Sequence, residues 1–149
     1  MKNNLIIFFL LLILNGCGFE PIYSIKNESD YNITIIENKG DKKLNNFISR
    51  ELDRISNKTS PNEYKIKVNS KFDKIIISKD SKGSPLEFEL LANIDFVIIS
   101  DNLNKSIRFK EKQNMQKISD LFQQTNYEDT VKENFASSVV RKLSLKLYK

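Results

Sequence analysis

The most reactive side chain in this sequence is a single thiol, Cys17. As a thiolate it is the strongest nucleophile among the side chains. One cysteine cannot close an internal disulfide, and one cysteine without any histidine cannot build the usual zinc cage. Its setting says what the thiol is for. Residues 5–14 (LIIFFLLLIL) form an unbroken apolar run just ahead of it, and Lys2 supplies a positive charge ahead of that run. The run is too short for a bilayer core, which takes about 20 residues to cross. A short basic start, an apolar middle and the small Gly16 make the three-part plan of a cleavable export signal over residues 1–16.

The segment Leu14-Asn15-Gly16-Cys17 resembles the bacterial lipobox. In that motif a diacylglycerol alkylates the cysteine sulfur, the chain is cut before it, and the new amine is acylated, commonly with palmitate. Leu at −3 and Gly at −1 match, whereas Asn15 stands where Ala, Ser or Thr is more usual. Each buried methylene is worth about 0.8 kcal/mol, so several acyl chains hold a protein to a membrane almost permanently. The resemblance implies a lipid anchor on Cys17. Gly18 follows, where lipoproteins retained at the inner membrane of enterobacteria carry Asp, so the implied address is the outer membrane.

The net charge is +5, or +4 without Lys2. This mild excess fits either a solvated basic face or contact with an anionic surface such as lipid headgroups. An enzyme would need a nucleophile with a base, or a metal site. With no histidine and the thiol taken by lipid, no catalytic set, metal site or cofactor is expected. Nucleic-acid binding is not expected either, because no strand interleaves aromatic and basic residues on one face.

The elements that must position the charges follow from periodicity. Residues 17–30 read as an extended tether interrupted by Pro21, and residues 31–149 as one domain. Residues 31–37 (YNITIIE) alternate as a strand, 38–41 turn, and Asp41 offers an N-cap to a helix over 42–57. Leu44, Phe47, Ile48, Leu52 and Ile55 share one face of that helix. Glu51 falls inside the same face and needs a partner such as Arg54, or a route to water. Three long strands follow, over 63–79, 86–100 and 106–115, with a hairpin loop at 80–85 and an apparent bulge near Asp73-Lys74. Residues 121–126 read as a loop and 127–148 as a second helix, with Val131, Phe135, Ala136, Val139, Val140, Leu143 and Leu147 on its apolar side. The order β-α-β-β-β-α predicts an α+β two-layer sandwich: a four-stranded mixed sheet with two helices on one face.

With the lipobox, this order and this size, the chain resembles the LPS-assembly lipoprotein family (LptE). The sharpest local match is Cys17-Gly18-Phe19-Glu20-Pro21-Ile22-Tyr23, close to the CGF-x-P-L-Y start of many members, with Ile22 in place of Leu. Tyr127-Glu128-Asp129 through Arg141-Lys142-Leu143 resembles the family's last helix, although members often carry many alanines there and this helix has Ala136 alone. The resemblance implies a non-enzymatic plug in the lumen of a large outer-membrane β-barrel translocon protein (LptD-like). Such a plug helps the barrel assemble and contacts lipopolysaccharide during its insertion.

Four cations are the candidate contacts for lipopolysaccharide or partner. If 102–105 is a tight turn, Asp95 faces Lys112, Val97 faces Lys110 and Ile99 faces Arg108. Arg108 and Lys110 would then lack an opposing carboxylate, free for lipid A phosphates. Lys79 and Lys82 flank the hairpin tip, a finger apolar at its base. The plainer alternatives are a self-neutralising solvated sheet face and a simple turn. At the level of function, the alternative is a generic periplasm-facing lipoprotein that binds a small ligand or another periplasmic protein.

Overall fold

The computed structural model describes residues 30–101 and 103–147. The predicted signal (1–16), the predicted lipidation site Cys17 and the predicted tether before Asp30 lie outside the described residues, as does Tyr148. The elements are β1 (Asn32–Gly40), α1 (Lys42–Ile55), β2 (Glu63–Lys79), β3 (Pro85–Ser100), β4 (Leu103–Gln116) and α2 (Leu121–Leu147). The sheet order is β1-β2-β3-β4, with β1 parallel to β2 and the other pairs antiparallel. Helix α1 packs on β1 and β2, α2 packs on β3 and β4, and the two helices pack on each other. The expected two-layer α+β sandwich is the observed fold.

Strict alternation along β2 and β3 makes one face of the sheet the core. Ile66, Val68, Leu90, Ala92, Ile94, Phe96 and Ile98 are buried on it. They meet Leu44, Ile48 and Leu52 of α1, and from α2 the same seven apolar residues that its periodicity selects. Phe96 is fully buried and packs edge-on against Phe109, with ring centroids 5.9 Å apart. A side chain of this size contributes about 3 kcal/mol when buried.

Two residues join the sheet to the helix layer. Strand β1 runs on to Gly40, past the predicted turn, because Lys39 and Gly40 still pair with Asn69 and Ser70. Gly40 has φ +99°, and the Ser70 carbonyl oxygen lies 1.7 Å from where a Cβ would stand, so only glycine fits there. Asp41 then caps α1, its Oδ1 accepting the Leu44 N–H at 2.8 Å. Its other oxygen accepts from Lys132 of α2 at 2.9 Å, and that ammonium also sits 4.4 Å from the Phe72 ring centroid. One aspartate thus ends a strand, starts one helix and holds the second. Helix α1 stops at Ile55, before the predicted 57, where Ser56 turns extended and its Oγ accepts the Ile33 N–H at 2.8 Å.

Two further expectations about the elements are corrected. No bulge lies at Asp73-Lys74: the pairing with β3 stays in register through Ile76 and shifts on either side of Ser78. What looks like a phase slip in the sequence is Lys74 on the inner face, its ammonium 2.7 Å from Glu128 and 4.3 Å from the Phe88 ring centroid. The stretch 121–126, expected as a loop, is the first part of α2. Asp120 starts that helix, with Oδ1 accepting the Gln123 N–H at 2.8 Å and its carbonyl the Gln124 N–H at 2.9 Å. The signal was present as Asp120 three residues before Gln123, a capping-box pattern. The exposed Leu121 and Phe122, on no apolar stripe, hid it.

Candidate functional site

The face of the sheet away from the helices carries the alternating charges, and its register differs from expectation. The β3–β4 turn is tighter: Ser100 pairs with Leu103, so Asp95 lies opposite Arg108, Val97 opposite Ser106 and Ile99 opposite Asn104. Arg108 therefore does have a carboxylate. Its Nε and Nη2 reach the two oxygens of Asp95 at 2.5 and 3.1 Å, a bidentate pair that raises the guanidinium pKa above its ordinary value. Lys110 lies opposite Asn93 rather than Val97, and no carboxylate pairs with it among the described residues. Lys112 leans toward Glu89 at 3.8 Å instead of meeting Asp95.

Elsewhere on this face the charges also neutralise one another. Lys71 meets Asp73 at 2.9 Å, and Glu37 accepts from Lys39 and, at 3.3 Å, from Lys67. Those two ammoniums hold the Glu37 carboxyl below its ordinary pKa. Together with Asn69, Asp95 and Arg108 they line a shallow depression of about 350 Å³. Of Arg108 and Lys110, it is thus Lys110 that is left without a carboxylate among the described residues. Glu51 pairs with Arg54 one turn on, the plain role expected for it.

The hairpin end of the sheet is different in kind. Asp80 builds its loop: Oδ1 accepts the N–H groups of Lys82 at 2.9 Å and Ser84 at 2.8 Å, and its own N–H donates to the Ser84 carbonyl at 2.9 Å. Gly83 closes the turn with φ +82°. The carboxylate nearest the tip is thereby engaged with backbone. Lys79 and Lys82 are left with no carboxylate partner among the described residues. Around them Ile75, Ile76, Ile77 and Leu86 are each between 43% and 46% exposed.

The structure brings two further groups to the same end, neither of which the sequence reading selected. The Lys117 N–H donates to the Leu86 carbonyl at 2.8 Å, which extends β4 along the hairpin and sets beside it a third lysine that has no carboxylate partner among the described residues. Helix α2 then starts at once, with Leu121 and Phe122 at 76% and 74% exposure. Six exposed apolar side chains and three lysines without a carboxylate among the described residues therefore gather at one end of the sheet. Exposed apolar side chains gathered at one end in this way suit an interaction site, and apolar stems tipped with ammoniums suit an amphiphile whose headgroup is anionic. Strand β2 has 17 residues, which places this end about 55 Å from the end where the chain enters at Asp30.

No protein-family model and no curated protein matches this sequence. Solved structures do match its fold. One is rare lipoprotein B from Shewanella oneidensis, at 7% identity and a TM-score of 0.56, covering 77% of this chain and 94% of that one. Another is a protein from Caulobacter crescentus CB15 described as a lipoprotein, at 16% identity and a TM-score of 0.53, covering 80% of this chain and 89% of that one. At such identities the likeness establishes a shared architecture that spans nearly the whole of those chains.

Proposed function

We propose that this chain is a lipid-anchored outer-membrane protein of the LPS-assembly lipoprotein (LptE) type. Cys17 carries the acyl chains, and the domain plugs a β-barrel lipopolysaccharide translocon and helps it assemble. The hairpin end contacts lipopolysaccharide, with Lys79, Lys82 and Lys117 on the phosphates and the exposed isoleucines, Leu121 and Phe122 against the acyl chains. The observation that carries the proposal is the gathering of apolar side chains and of lysines without a carboxylate among the described residues at one end of a sheet whose open face elsewhere has most of its charges paired. A balanced polar face suits the interior of a barrel, which is itself polar. The fold likeness to rare lipoprotein B adds support, and so does the Leu14-to-Cys17 motif.

The test is purification of the tagged full chain from detergent-solubilised outer membranes. A large heat-modifiable barrel protein should co-purify stoichiometrically, and depletion of the chain should leave the cell surface short of lipopolysaccharide. Recovery of the monomer alone under mild detergent, with normal surface lipopolysaccharide on depletion, would overturn the proposal.

A further inference from the structure

A sheet of four strands has two edges, and here they are unlike. The β4 edge carries Lys105, Arg108, Lys110 and Lys112, the charged guard that keeps an edge from pairing with foreign strands. The other edge is formed by β1 only as far as Gly40, which pairs with Ser70. From there residues 71–79 of β2 have β3 on one side and no strand on the other among the described residues, which leaves a row of backbone N–H and C=O groups facing outward. This stretch contains no proline, and Ile75, Ile76 and Ile77 expose 43%, 44% and 46% of their surface. Ile76 faces the helix layer and is still uncovered. Lys71 and Lys74 on this edge are tied up in ion pairs with Asp73 and Glu128, and beyond them residues 75–77 carry apolar side chains on both faces, which is a template for an added strand.

We propose that this edge accepts an extended segment of a partner protein, apolar in its middle and acidic at its ends, as an additional strand beside residues 71–76. The shift after Ile76 marks where regular pairing stops, which leaves room for a strand of about six residues. Charge selects the occupant. Lys71 is paired with Asp73 and Lys74 with Glu128, whereas Lys79 and the neighbouring Lys82 have no carboxylate among the described residues. A carboxylate just beyond the paired stretch therefore finds an ammonium. A second copy of this chain fits badly: pairing all nine edge residues antiparallel sets Lys71 against Lys79 twice, and like charges opposite each other destabilise a sheet. The inference goes beyond the translocon proposal and does not depend on it, since the edge would take such a strand from any protein.

The experiment uses the full chain in mild detergent with three synthetic probes: the peptide EVTVTVE, its twin KVTVTVK, and EVTVTVE with alternate amides N-methylated. Amide hydrogen exchange reads the edge. The expected result is that EVTVTVE binds about tenfold tighter than the lysine twin, that N-methylation abolishes binding, and that amides within 71–76 gain protection. Ile75→Asp, at an exposed position, should weaken EVTVTVE binding while leaving thermal unfolding unchanged. Four results overturn the proposal: no binding at millimolar peptide; equal binding of the two twins; binding without new protection at 71–76, which marks loose apolar contact of the kind a lipid surface makes; or a free chain that is already dimeric with those amides protected.

Discussion

Replacing Asp41 by alanine tests the joint between the sheet and both helices. The substitution removes the N-cap bond to the Leu44 N–H, a loss of about 1 kcal/mol. It also removes the partner of Lys132, whose side chain is 13% exposed and whose remaining contact is the Phe72 ring. Loss of a partly buried pair of this kind adds about 1–2 kcal/mol, more than a surface pair and less than a fully buried one. The total of about 2–3 kcal/mol should lower Tm by about 8–12 °C for a domain of this size. Asp41→Asn keeps an acceptor at the cap and should lose roughly half as much.

The same site has a pH signature. Burial pushes the Asp41 carboxyl up, but the Leu44 amide and the Lys132 ammonium outweigh it and hold the pKa below its ordinary 3.8. A depressed folded pKa gives stability that is complete above the unfolded value and is lost as pH falls through the folded one. The gap between wild type and Asp41→Asn should therefore be constant from pH 8 down to about 5 and narrow below about 4. Thermal unfolding across that range, with Lys132→Met in a double-mutant cycle, measures both effects. If Asp41→Ala and Asp41→Asn melt within about a degree of wild type, or if the cycle shows no coupling, the joint does not hold the layers together.

Other substitutions test other parts of the molecule. Gly40→Ala places a Cβ where the Ser70 carbonyl stands and at a positive φ, so it should destabilise by about 3 kcal/mol or more, read by denaturant midpoint at constant m. Changing Lys79, Lys82 and Lys117 together to glutamine should lower lipopolysaccharide affinity at least about tenfold while Tm stays unchanged, because charge-assisted phosphate contacts are lost and no core contact is. Cys17→Ser should leave the precursor unprocessed and without acyl mass, as whole-protein mass spectrometry would show. Arg108→Gln breaks a solvent-exposed pair and should leave Tm nearly unaltered, in contrast to Asp41→Ala.

Much of the architecture could be read directly. The apolar faces of α1 and α2 and the inward residues of β3 follow from periods of 3.6 and 2, because half-buried elements must repeat their apolar residues at those spacings. Asp41 as a cap was legible for the same kind of reason: the N-cap is a local requirement, met three residues away in the chain.

What depended on distance along the chain was decided by the folded structure. Arg108 was expected to lack a carboxylate and has Asp95, because moving a tight turn by a residue or two re-pairs the whole ladder behind it. Lys74 imitated a break in β2, since an inward lysine is tolerated only through Glu128, 54 residues away. The same holds for the hairpin end. Lys79 and Lys82 were visible as a charged tip, but Lys117, Leu121 and Phe122 join them only because β4 hydrogen-bonds back to Leu86 and Asp120 starts a helix there. Periodicity reports which way a side chain faces within its own element; which side chains share a surface is set by register and layer packing, and those exist only once distant segments have met.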